Sequence, residues 1–129
     1  MNIDHSQKIL VVDDEPTMRM IIERILRQMQ FSHVVLASDG KQAMDKLEKE
    51  PYALVVADWN MPNLSGLELL RAIRANPKLQ TIPVLMVTAE DNHQKVLEAI
   101  KAGVNHYILK PFTTTQFEEK VGQILGRSQ

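Results

Sequence analysis

The chain has 129 residues, of which 44% are apolar and 24% charged, with no cysteine and a formal net charge of −1. The length suits one domain with an ordinary buried core, and the near-average composition argues against disorder. The charge lacks the basic surplus of a bulk nucleic-acid or membrane-surface binder, and without cysteine there is no disulfide framework, thiol nucleophile or thiolate metal site.

In chain order, Met1-Asn2-Ile3-Asp4-His5 opens without the basic-then-apolar pattern of a secretory signal. Ile9 to Val12 is a continuous apolar run and reads as the first strand. Pro16 suits the first turn of a helix whose inner face is Met18, Ile21, Ile22, Ile25, Leu26 and Met29. Val34 to Ala37 is the second strand, and Asp39-Gly40 opens a helix with Ala43, Met44 and Leu47 facing inward. Ala53 to Ala57 is the third strand. Ser65-Gly66-Leu67-Glu68 then has capping-box spacing and leads into Leu69, Leu70 and Ile73. Val84 to Val87 is the fourth strand, and Val96, Leu97 and Ile100 form the next helical face, ended by Gly103. Tyr107 to Leu109 is the fifth strand, and Phe117, Val121, Ile124 and Leu125 line the last helix.

The strand runs lack polar alternation, so both their faces are expected to be covered, as in a parallel sheet. Five β-α repeats predict an α/β sandwich with right-handed crossovers and helices on both sides of one sheet. No apolar run reaches the roughly 20 residues of a membrane span. The expectation is a cytoplasmic monomer, a single domain over residues 1–129 with no output domain and no nucleic-acid or membrane partner.

Ligands of open α/β sheets bind outside the carboxyl ends of the strands, so the residues that follow each run matter most. Asp13, Asp14 and Glu15 follow the first, Asp58 the third, Thr88 the fourth and Lys110 the fifth. Each alone has an ordinary explanation: Asp13 and Asp14 as helix caps, Asp58 as a turn former, Thr88 as a cap, Lys110 as a solvated loop lysine. Their convergence on one edge of one sheet points to a site. Two carboxylates about 4 Å apart repel by about 4 kcal/mol at an effective dielectric near 20. Three of them must raise their pKa values or recruit a cation, and an oxygen-only donor set favours a hard ion such as Mg²⁺. Mg²⁺ and Lys110 together would balance three carboxylates. A phosphoryl group on Asp58 would add charge and acceptor oxygens, for which the Thr88 hydroxyl and Lys110 ammonium are the available donors.

Asp13-Asp14, Asp58, Thr88 and Lys110-Pro111 resemble, in order and spacing, the signature of the receiver domains of bacterial response regulators, across essentially the whole chain. Asp58-Trp59-Asn60-Met61-Pro62-Asn63, Gly66-Leu67-Glu68-Leu69-Leu70, Val84 to Glu90 and Lys110-Pro111-Phe112-Thr113 are similar to the chemotaxis, CheY-like branch. The resemblance implies a flavodoxin-like (βα)5 fold with sheet order 2-1-3-4-5. It implies that Asp58 accepts a phosphoryl group from a sensor histidine kinase of the CheA kind and is not a turnover enzyme. Mg²⁺ would be held by Asp14, Asp58 and the Asn60 carbonyl, with Asp13 acting largely through water. Lys110 would pair with the acids and then with the phosphoryl oxygens, Thr88 and Tyr107 would be the switch residues, and Lys110-Pro111 would be cis. The implied output face is helix 4, strand 5 and helix 5, including Tyr107 and Lys120. The implied partners are the flagellar switch protein FliM and a phosphatase, or another phosphorelay outside the flagellar system.

Glu15 adds an acid beside the pocket, expected to be solvated in the first helical turn, and Asp91-Asn92-His93-Gln94-Lys95 departs from the Lys- and Ala-rich start expected of enteric CheY. His5, His33, His93 and His106 lack metal-ligand spacing, the seven methionines read as core, and the lysines and arginines read as a solvated surface mixed with acids. A haloacid-dehalogenase-type phosphatase would need D-x-D on the first strand, and Asp58-Trp59-Asn60 is on the third and lacks the second acid. An FMN carrier would need a Ser/Thr/Gly-rich loop where Asp13-Asp14-Glu15 stands, and a docking-only receiver would not need the intact set of five residues.

Overall fold

The computed structural model describes residues 3–126. Strands and helices alternate strictly: β1 Lys8–Val12, α1 Pro16–Gln28, β2 His33–Ala37, α2 Gly40–Lys49, β3 Leu54–Ala57, α3 Gly66–Ala75, β4 Val84–Thr88, α4 His93–Ala102, β5 His106–Leu109 and α5 Thr114–Leu125. The sheet is wholly parallel, in the order β2-β1-β3-β4-β5. That is the order the resemblance implied.

Because successive strand residues point to opposite faces, each strand feeds two cores. Leu10, Val12, Val55, Ala57 and Met86 pack with Leu69, Leu70 and Ile73 on one side. Ile9, Val11, Leu54, Val56, Leu85 and Val87 pack with Ile22, Leu26, Phe117 and Val121 on the other. Burying each such side chain contributes about 1.5–3 kcal/mol before conformational entropy is counted. The register sets the functional edge: Val12 pairs with both Ala37 and Ala57, so Asp13 and Asp58 emerge side by side from β1 and β3. The Asp58 N–H continues the ladder by donating to the Val12 carbonyl at 3.1 Å.

Several expectations about helix faces need correction. On α4 only Ala99 is fully buried, whereas Ile100 is 58% exposed. A small residue forms the seam of this helix, and apolar spacing alone favours its larger neighbours. Ile21, expected inward, is 40% exposed beside the exposed Met20, so the apolar face of α1 is narrower than its sequence pattern. Of the methionines, Met86 is the fully buried one among the described residues, and it lies on β4 rather than on a helix. Ala53 precedes β3, and β4 extends to include Thr88.

Two devices shape the loops. α1 ends with the Phe31 N–H donating to the Leu26 carbonyl (3.1 Å) and the Gln30 N–H to the Arg27 carbonyl (2.9 Å), a Schellman arrangement whose left-handed residue, Gln30, has φ 81°. Glycine would adopt that conformation without the Cβ clash. Gln30→Gly is therefore expected to stabilise the protein by about 1 kcal/mol in urea unfolding, and a loss of stability would contradict this account.

Arg74 departs from the expected solvated surface. From α3 its guanidinium donates to the Gly103 carbonyl (3.1 and 2.7 Å), to the Gln80 and Ile82 carbonyls (3.1 and 2.6 Å) and to Asn105 Oδ1 (2.9 Å). Asn105 Oδ1 also accepts the Val84 N–H, the first amide of β4. Burial pushes the Arg74 pKa down. The planar fork thus fastens α3, the start of β4 and the turn before β5.

Candidate functional site

At the carboxyl edge, Asp13 is 1% and Asp58 9% exposed, while Asp14 opens to solvent. One carboxylate oxygen from each of the three lies within 4.8 Å of the others. Lys110, reaching across from the end of β5, donates to Asp13 Oδ2 at 3.1 Å and to Asp58 Oδ2 at 3.4 Å. Its side chain is only 13% exposed, so these are shielded ion pairs. Burial raises the pKa of Asp13, opposed by the Glu15 N–H and by Lys110. Burial by itself would lower the pKa of Lys110, but the charges of Asp13 and Asp58 outweigh it and the net shift is upward.

Both buried carboxylates are also oriented by main-chain donors. Asp58 Oδ1 accepts the Trp59 N–H at 2.7 Å, and Asp13 Oδ1 accepts the Glu15 N–H at 2.9 Å. Glu15 is the exposed N-cap of α1, not a residue of its first turn, and its carboxylate makes no cap hydrogen bond. The carbonyl of Asp13 accepts from Arg19 Nη1 at 2.7 Å, which ties the site to α1. Two glycines admit the β3–α3 loop. A Cβ on Gly66 would fall 2.1 Å from the Asp58 carbonyl oxygen, and one on Gly40 would fall 2.6 Å from that of Leu64. The loop between them is held by Asn63 Nδ2, which donates to Asp39 Oδ2 at 3.1 Å.

The other expected residues lie around this pocket. Thr88 is fully buried at the end of β4, and its Oγ1 accepts the Glu90 N–H at 3.2 Å. Tyr107 is half-buried, and its hydroxyl donates to the Glu90 carbonyl at 2.7 Å. Its pKa is pushed up to about 12 by burial, then by the charges of Glu90, Asp58 and Asp91. Asn60 is exposed, two residues beyond Asp58. The Lys110-Pro111 bond is cis. The four histidines are scattered, with the His5 ring packed at a tilt 4.9 Å from that of Phe31. The structure therefore brings Asp13, Asp14, Asp58 and Lys110 together directly, and joins Thr88 to Tyr107 through Glu90.

Sequence reasoning missed Gly66 as a site residue, because its role is the absence of a side chain beside Asp58. It also missed Lys95, which reaches Glu90 Oε1 at 3.2 Å from α4; five residues of separation across a loop give no local signal of contact.

Chemically, the pocket offers hard oxygen donors on an open side and an ammonium on the closed side. Asp58 sits where the two meet. Such an arrangement can hold a divalent cation and an added phosphoryl group without leaving either charge unmatched.

The family model for the response regulator receiver domain matches residues 9–122. The chain is 45% identical over 125 residues to chemotaxis protein CheY-3 of Vibrio cholerae, covering 97% of this chain and 96% of that one. It is 47% identical over 120 residues to chemotaxis protein CheY of Pseudomonas aeruginosa, covering 93% and 97%. Among solved structures, the receiver domain of a Pseudomonas aeruginosa sensor histidine kinase, with a magnesium ion coordinated in its active site cleft, superposes with a TM-score of 0.85 at 30% identity, covering 95% of this chain and 99% of that one. Vibrio cholerae CheY4 gives 0.86 at 28% identity, covering 93% and 99%. No helix among the described residues is long and apolar enough to cross a membrane. With its parallel sheet, its three-carboxylate pocket and a family match over most of its length, the chain belongs to the response regulator receiver domain family, and its relatives include chemotaxis proteins of the CheY type.

Proposed function

We propose that this protein is a phosphoacceptor switch: Asp58 takes a phosphoryl group from a histidine kinase with Mg²⁺ bound, and the phosphorylated form docks on a downstream partner. The observation that carries the reading is the placement of Asp58 between a cation-ready cluster and a fixed cation, with Lys110 bridging it to Asp13. Asp14, Asp58 and the Asn60 carbonyl would hold Mg²⁺, with Asp13 acting through water. The donor set fits, being all oxygen, net negative and open to solvent at Asp14. When bound, the ion would supply charge neutralisation to the phosphoryl oxygens.

The chain's own residues do the rest. The Trp59 N–H holds one Asp58 oxygen and Lys110 faces the other, so the carboxylate is oriented before the donor arrives. An Asp58 oxygen bonds to phosphorus as the N–P bond of the phosphohistidine breaks, and the imidazole leaves with the electron pair and takes a proton. Lys110 then transfers part of its attention from the carboxylates to the phosphoryl oxygens, where the Thr88 hydroxyl is the next available donor. A turn of the Thr88 side chain toward them would strain or break its bond from the Glu90 N–H, and the Glu90 carbonyl also receives the Tyr107 hydroxyl. The switch is a redistribution between two arrangements that differ in these contacts.

The kinship with chemotaxis proteins supports a kinase of the CheA kind and an output partner such as the flagellar switch protein FliM, with a phosphatase closing the cycle. Intact-mass spectrometry after incubation with Mg²⁺ and acetyl phosphate is expected to show one phosphoryl group, absent from Asp58→Ala. No gain, or an equal gain in the variant, would sink the reading. Trp59 is buried and adjoins the acceptor, so its fluorescence is expected to change on addition of Mg²⁺ and again with fluoroberyllate.

A further inference from the structure

One ion pair at the rim of the pocket has no part in the chemistry above. Lys95, in the first turn of α4, donates to Glu90 Oε1 at 3.2 Å, and its Nζ lies 5.9 Å from the centroid of the Trp59 ring. The other Glu90 oxygen accepts the Asn92 N–H at 3.3 Å. The hydrogen bond from Lys95 is the largest influence that lowers the Glu90 pKa, and the Asn60 side chain adds to it. Lys95 therefore touches two residues that are each one bond from the acceptor machinery. Glu90 binds Thr88 and Tyr107 through its backbone, and Trp59 holds Asp58.

The charge balance gives this clasp a consequence. Three carboxylates and one ammonium leave the metal-free pocket at −2, and Glu90, whose backbone binds Thr88 and Tyr107, would add a further negative charge beside it. A phosphodonor is itself an anion. The Lys95 ammonium cancels the Glu90 charge and fixes its carboxylate by the 3.2 Å ion pair. The Trp59 face favours a cation at that spot.

We propose that Lys95, paired with Glu90 and seated near the Trp59 ring, is a positioning residue that sets the reactivity of this receiver toward anionic phosphodonors by neutralising and fixing the Glu90 carboxylate. The proposal rests on Asp58 being the acceptor. In the step that reads it out, an Asp58 oxygen bonds to the phosphorus of acetyl phosphate while the bond from phosphorus to the acyl oxygen breaks, and acetate leaves with the electron pair.

The test compares the initial phosphorylation rate of the wild type, Lys95→Ala and Lys95→Ala/Glu90→Gln by intact mass, at saturating Mg²⁺. Acetyl phosphate and the less negatively charged phosphoramidate serve as donors, at low and at high ionic strength. With acetyl phosphate at low salt, Lys95→Ala is expected to react roughly two- to fivefold more slowly. The deficit should be smaller with phosphoramidate, shrink in salt and vanish in the double variant. An unchanged rate, an equal slowing with both donors, or a double variant as slow as the single one would overturn the proposal while leaving the acceptor assignment intact. Failure of the wild type to take up phosphate from either donor would overturn both.

Discussion

Gly66→Ala is expected to unfold the acceptor edge and abolish phosphorylation of Asp58, although residue 66 bears no chemistry. The added Cβ would lie 2.1 Å from the Asp58 carbonyl oxygen and 2.9 Å from both the Asp58 carbonyl carbon and Trp59 Cα. All three are backbone atoms, so no rotamer change relieves the clash. The Gly66 N–H also donates to the Trp59 carbonyl at 2.8 Å, which keeps α3 pressed on this peptide. Overpacking a core costs typically about 1–3 kcal/mol, and a rigid backbone contact belongs at or above the upper end. Urea unfolding should show a loss of about 3 kcal/mol, together with absence of the phosphoryl mass gain. An alanine variant of native stability that still accepts phosphate would refute the close approach.

Lys110→Ala is expected to separate the uses of the pocket. Asp13 and Asp58 are buried and share this one ammonium, so its removal leaves two carboxylates facing each other at short range. Breaking a buried pair by deleting one partner costs about 3–5 kcal/mol, and the open Asp14 side brings the expected loss here nearer about 2–3 kcal/mol without metal. The pocket charge falls from −2 to −3 on loss of one ammonium from three carboxylates, so Mg²⁺ should bind more tightly and restore most of the stability. Asp13→Asn in the same chain should recover stability without the metal, since it removes the repulsion. Some phosphorylation should survive, because Trp59 still orients Asp58, but partner capture by the phosphorylated form should be lost. Urea titrations with and without Mg²⁺, and a pull-down with fluoroberyllate-loaded protein, check both halves. Unchanged metal-free stability would contradict the first, and lost metal binding with normal signalling the second.

The strands were legible in the sequence because burial on both faces leaves continuous apolar runs, and all five stand within a residue of where those runs place them. The strand-end rule likewise located the acids, since the parallel register levels Val12 with Ala57 and carries Asp13 and Asp58 out together. Apolar spacing worked less well on α4, where packing depends on Ala99 being small and leaves Ile100 outside. The contacts around Glu90 were not legible at all. That residue joins Thr88, Lys95 and Tyr107 from three separate elements, and only the folded chain brings them to one loop. Arg74 was hidden for a related reason. On a helix flanked by polar residues it looks like any solvated arginine, yet its acceptors are mostly backbone carbonyls from distant turns, which have no side-chain signature.

The Arg74 fastening also makes the two ends of β4 mechanically unequal. Its first residue, Val84, is anchored through Asn105 to a guanidinium that binds three main-chain carbonyls, whereas its last, Thr88, leads into a loop whose ties run through the one residue Glu90. The strand is built like a lever with a welded fulcrum. If Asp58 takes a phosphoryl group as proposed, the anchored start of β4 is expected to stay in place and the displacement to fall at its Thr88 end, beside α4 and β5.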